Sequence, residues 1–137
     1  MTVEESVKPA EFVRWVSPGF DLLELVNELK SRFWVDGAEH SLLRLASGEL
    51  VLVKGGWGGI LFDVEGGPGD QTLGMQIDGI KVRIVELILH THPRVTGPSD
   101  SDRNALAILR QLSSIVYEIG GDPDGTRFTA KPDSPTS

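Results

Sequence analysis

The chain has 137 residues, a length that suits one domain with one core, and 39% of them are hydrophobic. A net charge of −7 argues against a surface that tracks phosphates, which needs an excess of lysine and arginine, so no nucleic-acid partner is expected. The absence of cysteine excludes disulfides, cysteine-based zinc ribbons, thiol catalysis and the Cys-dependent zinc nucleobase deaminases.

Residues 1–10 are polar, contain Pro9 and read as a loose arm; they lack the charged-then-apolar build of a signal peptide. No apolar run approaches the ~18 residues of a membrane span, so no membrane partner is expected. Phe12–Val16 alternates like a short strand. From Asp21 to Trp34, Leu22, Leu23, Val26, Leu29 and Phe33 follow the three-to-four spacing of an amphipathic helix. Asp21 is placed to cap it, and Asp36-Gly37 stops the segment after it. Ser41–Leu45 and Glu49–Val53 flank Ala46-Ser47-Gly48 and predict a hairpin.

Gly55-Gly56-Trp57-Gly58-Gly59 is a turn; without the Lys-Ser/Thr of a P-loop or a following helix it does not predict a phosphate cradle. Ile60–Val64 is a further strand, and Glu65–Asp70 a Gly/Pro loop. Thr72–Ile77 and Ile80–His92 flank Asp78-Gly79, the strongest two-residue hairpin signal in the chain. Ser99–Leu112 predicts a second helix with Ala105, Leu106, Leu109 and Leu112 buried. Ser114–Ile119 and Thr126–Ala130 are strands around the turn at 120–125, and the Pro/Ser/Thr-rich residues 131–137 read as a disordered tail. The expectation is a single domain over residues 11–130 of α/β (α+β type) class, with a mostly antiparallel sheet and two main helices.

The chemistry concentrates between Val85 and Asp102. Two of the chain's three histidines, His90 and His92, lie two apart at the end of the longest strand. Strand geometry puts them on one face with Cα atoms roughly 6–7 Å apart, close enough to converge on one metal ion. Strict alternation places Val82, Ile84, Glu86 and Ile88 on that face too, with Glu86 roughly 13 Å back from His90, beyond reach of a shared ion and suited to a cross-strand cation. A bare H-x-H also occurs by chance at strand ends. The following Pro93, the Gly97-Pro98 turn and Ser99-x-x-Asp102 make the pattern more specific. Ser99 and Asp102 also form a helix capping box, a role compatible with Asp102 folding back as an oxygen ligand. Two histidines, an aspartate and an open position make the layout of a catalytic zinc. A general base must come from elsewhere: Glu39 is the first candidate and Glu49 the second, while His40 is either a further polar group of the site or a surface histidine.

The order Glu39, His90-Thr91-His92-Pro93 and Pro98-Ser99-x-x-Asp102 resembles the JAMM motif of JAB/MPN-type zinc isopeptidases and metalloproteases. The resemblance covers roughly residues 20–120. More narrowly, H-T-H-P with G-P-S-x-x-D and V-Y-E-I-G is similar to JAB-like domains at the ends of bacterial polymorphic toxin proteins. Six residues separate His92 from Ser99 where the family usually has seven, and the glycine that commonly follows the family's glutamate is absent after Glu39. The resemblance implies a cytidine-deaminase-like/JAB-like sandwich in which His90, His92 and Asp102 hold Zn2+. It also implies that Glu39 is the general base, that Ser99 stabilises the oxyanion, and that a peptide or isopeptide bond in a protein or peptide substrate is hydrolysed. The location it implies is cytoplasmic, or secreted as part of a larger toxin protein. A second expectation, from a different class, is a catalytically inert JAB-like module that binds a protein partner. A PHP-type phosphoesterase also opens its metal site with H-x-H, but needs more histidines than His40 can supply, and a metal-dependent nuclease is disfavoured by charge.

Overall fold

The computed structural model describes residues 7–92, 100–119 and 128–134. Among these residues, ten strands and two helices follow in the order β1 (Val7–Pro9), β2 (Glu11–Val16), α1 (Leu22–Asp36), β3 (His40–Leu45), β4 (Leu50–Lys54), β5 (Gly59–Leu61), β6 (Asp63–Glu65), β7 (Thr72–Ile77), β8 (Ile80–His92), α2 (Asp100–Leu109), β9 (Ser114–Ile119) and β10 (Phe128–Asp133). The class is α+β: an eight-stranded, mostly antiparallel sheet runs β10-β9-β8-β3-β4-β2, with β7 and then β6 added along the first half of β8.

Leu42 and Leu43, neighbours on β3, point to opposite faces of the sheet. Leu42 packs with Leu25 and Leu29 of α1, and Leu43 with Ala105 and Leu106 of α2. The two helices therefore cover opposite faces. Asp21 caps α1 by accepting from the Glu24 N–H, and Gly37 ends it in the left-handed region while its N–H donates to the Phe33 carbonyl. The guanidinium of Arg14 on β2 grips Glu28 on α1 through both carboxylate oxygens, a bidentate pair that fixes the helix over the sheet.

Several expectations are corrected. The buried stripe of α1 is Leu25, Val26 and Leu29, whereas Leu22 and Leu23 are exposed. The second helix ends at Leu109; Arg110 turns left-handed (φ 55°) and Leu112 is left 89% exposed. Val7–Pro9 is no loose arm, because it pairs in parallel with β5. The single strand expected over Ile60–Val64 is two, β5 joining β1 and β6 joining β7. Lys131–Asp133 belongs to β10 rather than to a disordered tail. Pro132 is tolerated there because β10 is an edge strand, where a missing N–H leaves no second neighbour unpaired.

Two features of β8 position the site. First, β8 runs antiparallel to β3 but parallel to β9, and α2 is the crossover between β8 and β9. A helix in that role starts beside the carboxyl end of the strand before it, so the first turn of α2 meets the histidines that end β8. Second, the register against β3 slips twice. Leu42 faces Leu89 while Leu43 faces Leu87, and Arg44 faces Glu86 while Leu45 faces Ile84. Ile88 and Val85 are thus extra residues, and each bulge resets the alternation of side chains. Ile84 and Leu87 both lie in the core under α2, whereas Leu89 lies under α1. Glu86 accordingly does not share the histidine face: it meets Arg44 at 2.9 Å, the cross-strand cation pairing that its sequence position suggested.

The Asp78-Gly79 turn that leads into β8 has φ 53° and 77° at its two residues, the conformation of a tight primed hairpin turn. Space beyond Gly79 is open. Gly79→Ala is therefore expected to cost about 1 kcal/mol through backbone conformation alone, read as a lower urea midpoint with unchanged m-value.

Candidate metal centre

Glu39, His90, His92 and Asp102 are 3%, 1%, 3% and 7% exposed, figures that put every one of them inside the protein. One ligating atom from each lies within 4.8 Å of the others, a set that could hold a metal ion. The sequence-predicted ligands and the first candidate base thus come together from three separate elements. The other candidate base, Glu49, is exposed at the β3–β4 turn, where its carboxylate accepts from the Ser47 hydroxyl. Ser99 lies outside the described residues.

Asp102 stands in the first turn of α2, where the helix dipole favours a carboxylate. Its Oδ2 is 3.0 Å from His92 Nε2 and 3.6 Å from His90 Nε2. Donors sharing one ion at ~2.1 Å sit about 3–3.5 Å apart, so these spacings fit a common ion. The imidazoles are tilted by 55° with ring centres 5.0 Å apart, both Nε2 atoms directed at the same carboxylate oxygen. The other nitrogen of His90, Nδ1, faces the buried hydroxyl of Ser114 at 3.5 Å.

Glu39 is held from behind by the glycine-rich turn. Its N–H donates to the Gly56 carbonyl, and its carbonyl accepts from Gly55 N–H, both at 2.9 Å. Gly55 is required for a steric reason: a Cβ there would meet the Gly59 carbonyl oxygen at 2.6 Å and Ile60 Cα at 2.8 Å. The next residue, His40, is fully buried rather than at the surface. Its N–H donates to the Thr91 hydroxyl and its Nδ1 lies 3.0 Å from the Ala38 carbonyl, so it ties β3 to β8. Burial lowers its pKa below the usual histidine range, partly offset by the Ala38 carbonyl and Asp36.

The Glu39 carboxyl is pushed well above the usual carboxylate range, first by burial, then by the charge of Asp102 and a hydrogen bond to it, then by Asp133. Its Oε1 is buried without a hydrogen-bond partner among the described residues. Such a group holds a proton at a pH where an ordinary glutamate has lost it, and a nearby cation would release it.

One member of the cluster was missed by sequence reasoning. Asp133 on β10 is buried, with Oδ2 2.9 Å from His90 Nε2. The one available signal was a lone acidic residue inside a Pro/Ser/Thr-rich stretch, which points to solvent. An open groove lies between α2 and β7–β8 beside Asp70, Arg83 and Arg110, and no cluster residue lines it.

No protein-family model, curated protein or solved structure matches the chain.

Two outcomes follow for stability. Because the folded Glu39 pKa is raised, metal-free protein loses stability as pH climbs from ~4.3, where the unfolded chain ionises, up to the folded pKa. Glu39→Gln is thus expected to melt a few degrees above wild type at pH 7 in chelator, with the margin vanishing near pH 4 in a pH series of thermal melts. Gly55→Ala is expected to cost about 1–3 kcal/mol in chemical denaturation, since backbone rather than a movable side chain must give way.

Proposed function

We propose that this chain is a zinc-dependent hydrolase of JAMM type that cleaves a peptide or isopeptide bond in a protein or peptide substrate. The observation that carries the reading is the convergence of Glu39 with His90, His92 and Asp102, residues brought from before β3, the end of β8 and the start of α2. Two neutral imidazoles and a carboxylate are a donor set zinc accepts, and a glutamate beside them completes what amide hydrolysis needs.

A bound zinc ion would polarise the scissile carbonyl and acidify a water toward pH 7. His90 and His92 orient through their Nε2 atoms, and Ser114 faces the opposite nitrogen of His90 to fix its tautomer. Glu39 takes the proton of the attacking water and returns it to the leaving amine. Burial and the neighbouring Asp102 raise its pKa in the metal-free cluster, which supports a carboxyl able to carry a proton there. Two hydrogen bonds of its backbone hold Glu39 beside the cluster, which supports a role for its carboxyl at the site.

Metal analysis of protein purified without chelator tests the centre: about one zinc per chain is expected, lost in His92→Ala. Against a panel of lysine-linked and main-chain amide substrates, Glu39→Gln should keep the metal and lose roughly 10²-fold or more in kcat. Wild-type protein that takes up no zinc would overturn the reading.

A further inference from the structure

We infer that Asp133, delivered by the edge strand β10, is a fourth protein ligand of the metal centre, sharing the ion with His90, His92 and Asp102. The inference rests on the metal centre proposed above and extends it to a residue outside the resemblance.

Asp133 stands opposite Ser114 at the end of the β9–β10 ladder, two strands away from β8. The residue between is a serine, and its small side chain leaves the path open for the Asp133 carboxylate to reach His90. There Oδ2 contacts Nε2, the same nitrogen that faces Asp102. An imidazole nitrogen that ligates a metal has no hydrogen to donate, so metal binding removes the hydrogen bond between His90 and Asp133. The proton then sits on Nδ1, toward Ser114. Asp133 Oδ1 is already buried with no hydrogen-bond partner among the described residues. A carboxylate so placed, with both oxygens out of water, needs a cation, and the ion taken up by His90 is the one within reach. Its 2.9 Å spacing from Nε2 is just under the about 3–3.5 Å of two donors on one ion, so a shift of a few tenths of an ångström brings both onto it. Two histidines and two aspartates form a closed set, so turnover requires the ion to accept a fifth ligand or Asp133 to let go.

Zinc affinity measured by competition with a chromophoric chelator, for wild type, Asp133→Asn and Asp133→Ala, tests this together with a zinc-edge anomalous map of the zinc-loaded wild type. The isosteric asparagine guards against loss of fold, checked by thermal melting of each variant. Expected are an anomalous peak ~2.0–2.2 Å from an Asp133 oxygen and affinity lowered roughly 10–100-fold in Asp133→Ala. A peak on His90, His92 and Asp102 with Asp133 beyond bonding distance, or equal affinity in all three proteins, overturns this inference and leaves the metal centre standing. No zinc uptake by wild type overturns both.

Discussion

Three carboxyl groups and two imidazoles share one buried cluster, and the cost of that burial is the constraint on which the rest of the molecule turns. Two like charges 4 Å apart repel by about 4 kcal/mol at an effective dielectric near 20, before any loss of hydration is counted. Protons or a divalent cation must therefore occupy the cluster, and in the metal-free protein burial and Asp102 push the Glu39 pKa up, favouring its protonated form. The framework around it has to be stiff enough to hold groups that would otherwise separate. Leu42, Leu43, Leu52 and Val53 are fully buried on β3 and β4, and truncation of such a leucine to alanine ordinarily costs about 2–5 kcal/mol. That core is what holds the cluster closed.

The parallel step from β8 to β9 through α2 explains where the cluster lies. In an otherwise antiparallel sheet this crossover creates one crevice at the carboxyl ends of adjacent parallel strands, and Asp102 enters it from the helix start. The two bulges of β8 then decide which side chains look into it. Without them, Glu86 would share the face of Ile84 and the histidines and Leu87 would not; the two shifts cancel, so His90 and His92 keep the face that strict alternation gives them.

Much of this was legible in the residues. The Asp78-Gly79 turn, the Asp21 cap and the long strand ending in His-Thr-His are local signals, and local signals survive folding. So is Asp102, whose place at a helix start is written in the spacing from Ser99. Glu39 was legible as a candidate, yet its choice over Glu49 needed the backbone pairing with Gly55 and Gly56. The face of Glu86 was misjudged because a bulge leaves no mark in composition: Val85 and Ile88 look like any other strand residues. Asp133 was missed for a related reason. Its strand gets its order from β9, not from its own sequence, and Pro132 disguises it. Leu112 looked buried by helical spacing, but the helix stops at Leu109 before the spacing can apply.

The separation of the cluster along the chain carries a consequence for how the protein is made. Glu39 leaves the ribosome long before His90, and Asp133 comes after everything it touches. His90, His92 and Asp102 lie close together in the chain, and they gain their backing only when β3 and β9 have docked on either side of β8 and β10 has joined β9. Contacts of such sequence separation form late and slowly. A nascent chain would thus offer a passing metal ion an incomplete grip, and tight capture would await the finished sheet.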